Sequence, residues 1–132
     1  MHQIQSPRTD DESVEQDIIR KGLTALRVTP TDIEANIVSA TYFTAMDGVG
    51  GAGDPVHSGA EVPLSLLTFC VLVLLNGFTV TGESACASPE NFDAEIGRKI
   101  ARANAVNKIW PLMGYALKCR LFEAEAKRQD VR

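Results

Sequence analysis

The sequence predicts an α+β fold: an antiparallel β-hairpin, about 67–75 and 78–85, packed on a long C-terminal helix kinked or broken near Pro111, with two shorter N-terminal helices. Three observations lead there. Two runs rich in β-branched and apolar residues flank Asn76-Gly77, the dipeptide favoured in tight hairpin turns. A helix-start signal at Ser88-Pro89-Glu90 opens a long segment with apolar residues at helical spacing. Two further helix signals precede the hairpin, so strands and helices are segregated rather than alternating.

The N-terminal residues 1–12 are polar and charged, contain Pro7 and have no periodicity, and are expected to form a disordered tail ahead of a single domain over 13–128. From Ser13, the apolar residues Val14, Ile18, Ile19, Leu23 and Leu26 follow one helical stripe, which Gly22 weakens by about 1 kcal/mol relative to Ala. Thr29, Pro30 and Asp32 form a capping signature for a second helix carrying Ile33, Ile37 and Val38. An isolated hairpin is marginal, so a third strand is needed, from Tyr42 to Ala45 or from a second subunit. Five glycines and two prolines mark 46–63 as a loop. Gly48 to Gly53 lacks the Lys-Ser or Lys-Thr that completes a phosphate-binding loop.

A type I′ turn at Asn76-Gly77 would set Leu75 opposite Phe78 and Val73 opposite Val80, with Val71 on the same, core face. Leu72 and Leu74 then fall on the second face, half covered or at an interface. In the long helix, Phe92, Ile96, Ile100, Ala103 and Trp110 share a face, continued by Leu112, Met113, Leu117 and Leu121. Ala94, Gly97, Ala101 and Ala105 form a small-residue ridge that permits close approach of another backbone. With the Leu72/Leu74 face, that ridge suggests a homo-oligomer, most simply a dimer.

At 132 residues and 45% hydrophobic composition, the chain can hold a real core. No apolar run reaches the roughly 18–20 residues needed to span a bilayer, and the acidic N-terminus does not read as a signal peptide. A net charge of -4 disfavours duplex nucleic acid as partner. Cys70, Cys86 and Cys119 are odd in number and irregularly spaced, which reads as reduced thiols. His2 and His57 lie in the tail and the glycine loop. They match no zinc spacing and suit no catalytic triad, so neither metal, cofactor nor catalytic residue is expected.

The candidate binding residues cluster around the long helix. Arg98 and Arg102 stand one turn apart, with Asn91, Glu95 and Lys99 nearby. One reading is a solvated face in which Glu95 pairs with Arg98 and Lys99. The other is an anion site, with two guanidinium forks for phosphate or carboxylate, extended by Lys108 and Trp110 and by hydroxyls of Thr79, Thr81 and Ser84. Asn104 and Asn107 fall near the apolar face, and a buried amide needs a partner such as a strand end or a ligand.

The runs Asn76-Gly77-Phe78-Thr79-Val80-Thr81-Gly82-Glu83-Ser84, Ser88-Pro89-Glu90-Asn91-Phe92-Asp93, Ile96-Gly97-Arg98-Lys99-Ile100-Ala101-Arg102 and Asn104-Ala105-Val106-Asn107-Lys108-Ile109-Trp110-Pro111 are distinctive together. Over roughly residues 30 to 122 the chain resembles a family of small tailed-phage proteins named for the gene 49 product of phage N-four and the gene 66 product of Shigella phage Sf-six. The resemblance implies a phage or prophage protein in the bacterial host cytoplasm and carries over no catalytic residues. The resemblance implies a protein that acts on the host by binding. The partners to be expected are an anionic small molecule of nucleotide type or a host protein.

Overall fold

The computed structural model describes residues 11–131. Its elements are α1 (Asp11–Arg20), α2 (Pro30–Ala35), β1 (Ile37–Thr44), α3 (Ala45–Ala52), α4 (Glu61–Ser65), β2 (Leu67–Leu74), β3 (Thr79–Ala85) and α5 (Ala94–Val131). The strands form an antiparallel meander in the order β1-β2-β3, laid on the N-terminal half of α5. The α+β class, the hairpin and the long C-terminal helix are as the sequence predicts. The expected tail lies mostly outside the described residues, although Asp11 and Glu12 already belong to α1.

The hairpin's register differs from expectation by one residue. Leu74 accepts a hydrogen bond from Gly77 at 2.9 Å and donates one to Phe78 at 2.8 Å, so the loop has three residues, Leu75-Asn76-Gly77. Only Gly77 has positive φ (87°), and a type I′ turn would require it at Asn76 too. Leu72 therefore pairs with Val80 and Val73 with Thr79. This reverses β2: Cys70, Leu72 and Leu74 are the core face, while Val71 and Val73 look outward and are half-buried.

Gly82 sets the distance between sheet and helix. A Cβ there would collide with the Ala101 carbonyl and the Ala105 amide. Gly97, Ala101, Ala105 and Ile109 accordingly face β3 and are buried, with Ile100 beside them. Ile96 is instead exposed, and Trp110 packs at the core's edge. The small-residue ridge and the Leu72/Leu74 face, the two grounds for a dimer, thus meet each other inside one chain.

Several boundaries also differ. α1 ends before Gly22, whose φ of 71° makes it a helix terminator rather than an interior residue. The Thr29–Asp32 capping box forms as expected, but α2 stops at Ala35, and Ile37 and Val38 enter β1, which supplies the third strand. The segment 46–63, expected as one loop, carries α3 and α4. A second capping box, Thr44 with Asp47, starts α3, and its Gly48 packs against the Phe43 ring, which stacks on Phe69. These contacts offset the roughly 1 kcal/mol that each helical glycine costs. Ser88 makes no side-chain cap. Asp93 takes that role for α5, accepting from the Ile96 amide at 3.0 Å. α5 runs unbroken through Pro111, which removes only the amide bond to the Asn107 carbonyl.

Candidate functional site

α5 carries the charged residues, and α2 and β1 decide what they meet. The capping box fixes α2 so that Glu34 faces Arg102 across the fold. Arg102 donates from Nη1 to Glu34 Oε1 (3.1 Å) and from Nη2 to Oε2 (3.0 Å), a planar two-bond grip. That grip holds the Glu34 carboxyl below its usual range and raises the guanidinium further. Tyr42 and the fully buried Cys70, paired across β1 and β2, lie behind Arg102. Burial pushes both the phenol and the thiol up, so both stay neutral.

In front of this pair opens a cleft of about 410 Å³, lined by Asp11, Glu34, Lys99, Arg102, Val106 and Asn107 among others. Its size suits a small ligand. Two cations and two carboxylates share its rim. Asp11 also accepts a hydrogen bond from the Trp110 indole (3.1 Å), which ties the start of α1 to α5. α1 has no buried residue, and a second tie, Arg27 with Glu15 at 2.6 and 2.9 Å, holds it against the turn that leads to α2.

The residues singled out from the sequence do not all converge. Lys99, Arg102 and Asn107 meet at the cleft, with Trp110 adjoining through Asp11. Arg98 points elsewhere: its guanidinium lies 6.0 Å from the Tyr42 ring centroid, beside a small recess with Thr44, Asp47 and Phe92. Glu95 forms an ion pair with neither Arg98 nor Lys99; the carboxylate that matters is Glu34. Asn91 and Lys108 are exposed. Ser84 is buried beneath α5. Thr79 and Thr81 alternate with the inward Val80 and Gly82, so their hydroxyls face away from α5, on the far side of the sheet. Asn104 donates to the Glu83 carbonyl at 2.8 Å, the strand-end bond expected for one of the two asparagines. Sequence reasoning missed Glu34 and Asp11. No local pattern links them to α5, since the pairing spans 68 residues in one case and 99 in the other.

Among the described residues, no cluster of His, Cys, Asp or Glu is placed to hold a metal ion, and no helix is long and apolar enough to cross a membrane. The three cysteines are free thiols.

Fold and cleft define a small α+β protein whose polar cleft lies between a long helix and two short ones. The chain belongs to the phage protein family of N4 Gp49 and phage Sf6 gene 66, matched over residues 28–121. No curated protein and no solved structure matches it.

Proposed function

We propose that this phage protein is a non-catalytic binding protein of the bacterial host cytoplasm, and that it takes an anionic, nucleotide-type ligand at the cleft of Lys99, Arg102 and Asn107 in an anti-defence role. One observation carries this reading. Arg102 presents a fork already gripping a planar carboxylate at the wall of a ligand-sized cleft, with Lys99 on the same rim. The resident pair is half exposed, and such pairs contribute roughly 0–1 kcal/mol. A phosphate that also contacts Lys99 makes more charge-assisted bonds than the Glu34 carboxylate does, so it can displace Glu34. Sequestration needs no turnover, which suits a site built from binding groups.

Calorimetric titration with cyclic di- and trinucleotides and ADP-ribose derivatives tests the reading. Binding should be lost in Lys99→Ala/Arg102→Ala and kept in Arg98→Ala, because Arg98 stands outside the cleft. Trp110, the single tryptophan, gives a second signal through its bond to Asp11. Direct inhibition of a host protein through a protein–protein surface is the second reading. The net charge of -4 favours it, because an acidic surface suits a protein partner. Absence of heat across the whole panel for the wild type would decide for it.

A further inference from the structure

α5 is 38 residues, about 57 Å, long, yet its buried residues end at Ile109. Past that point its apolar content does not end. Leu112, Tyr115, Cys119, Phe122 and Ala126 follow one another at steps of three and four, the a/d spacing of a coiled coil. Tyr115 is 75% exposed, Phe122 72% and Leu112 41%. Cys119 lies five helical turns, about 18 residues, beyond Ala101, so the two point the same way. The face that β3 covers at Ala101 therefore continues as an apolar stripe, exposed at Tyr115 and Phe122 and half-buried at Cys119. The body touches the opposite side there, where Met113 and Leu117 line a groove with Leu26 and Leu75.

We propose that this stripe binds the same stripe of a second copy, the two α5 helices running antiparallel. Self-pairing is argued from the charges. In an antiparallel pair with Cys119 level with Phe122 of the partner, Lys118 of each copy flanks Glu125 of the other, giving two opposite-charge contacts by symmetry. Among the described residues Glu125 pairs with Arg128 of its own helix, one turn away and exposed, so it is available. Direction follows from the body's position. Because Ala101 and Cys119 share a face, a parallel pair would drive both sheets into the gap between the helices. The antiparallel pair puts the two bodies at opposite ends. Most helical stability comes from packing of an apolar face rather than from propensity, and a partner supplies that packing to the exposed stripe. The stripe amounts to two heptads, so the dimer forms in the micromolar range rather than tighter.

Sedimentation equilibrium of the full chain from low to high micromolar tests this. The mass should rise from 14.3 kDa toward double that value. Phe122→Lys and Tyr115→Lys, both at exposed positions, should keep the far-ultraviolet spectrum at dilution and weaken the dimer by about tenfold or more. Lys118→Glu should weaken it, and adding Glu125→Lys should restore it. A strict monomer at high micromolar concentration overturns the proposal, as does a dimer indifferent to Phe122→Lys. Restoration by Glu123→Lys instead of Glu125→Lys overturns the antiparallel arrangement. Co-sedimentation of a monomeric wild type with anionic lipid vesicles, lost in Phe122→Lys, would assign the stripe to a membrane surface and likewise overturn it.

Discussion

Replacing Gly82 with alanine adds one methyl group where no room exists. The new Cβ would overlap the Ala101 carbonyl and the Ala105 amide, both backbone atoms of α5. Side chains can rotate away from such a clash; a helix backbone cannot. The helix must lift off β3, which opens the contacts of Ala101, Ala105 and Ile109, all fully buried. Overpacking costs typically 1–3 kcal/mol. This case should sit at the top of that range, because the obstruction is rigid and central. For a domain of this size each kcal/mol moves the midpoint by about 3–5 °C, so a loss of about 3 kcal/mol should lower Tm by about 10–15 °C. Thermal unfolding followed by circular dichroism measures it. Gly48→Ala is the internal control: its Cβ would meet the Phe43 ring at an ordinary 3.6 Å, and alanine is the better helix former, so Tm should hold or rise. If Gly82→Ala melts within a degree or two of the wild type, the sheet and helix are not in the close contact described.

Three other outcomes follow from single contacts. Asn104→Ala removes the donor to the Glu83 carbonyl and should cost about 1 kcal/mol in urea unfolding, and an unchanged midpoint would show that the bond contributes nothing. The Arg102 hydrogen bonds depress the Glu34 pKa, so their stabilisation is full above the ordinary carboxylate pKa and fades as pH falls through the depressed one. Glu34→Gln should remove that acid-side component from the stability–pH profile, and identical profiles for variant and wild type would count against the pairing. Trp110→Phe breaks the bond to Asp11, and since α1 buries no residue, amide exchange should quicken in α1 while β2 and β3 stay protected.

The position of the hairpin was readable from Asn76-Gly77, but its parity was not. Both a two-residue and a three-residue loop accommodate that pair, and β2 is apolar at Leu72 and Leu74 as well as at Val71 and Val73. A strand apolar on both faces carries no alternation to say which faces inward. Gly82 held the missing information: a glycine within a strand marks close approach of another backbone, which places Val80, Gly82 and Ser84 inward and draws Leu72 with them. α3 was hidden by its three interior glycines although its Thr44–Asp47 box was present in the sequence. Lys99, Arg102 and Asn107 could be grouped because a single helix presents them. Glu34 and Asp11, which complete the cleft, come from elements whose placement only tertiary packing decides.

The division of labour between sheet and helix also orders events at the ribosome. The three strands are consecutive, so their pairing requires no distant sequence and can proceed early. The other wall of the core is supplied by α5 and ends at Ile109. Some 24 residues separate the end of β3 from Ile109, roughly 1–5 s of synthesis at ordinary elongation rates. Until α5 packs, Cys70, Leu72, Leu74 and Val80 lack their helical cover. The nascent chain is most vulnerable to chaperone capture and edge-to-edge misassociation then.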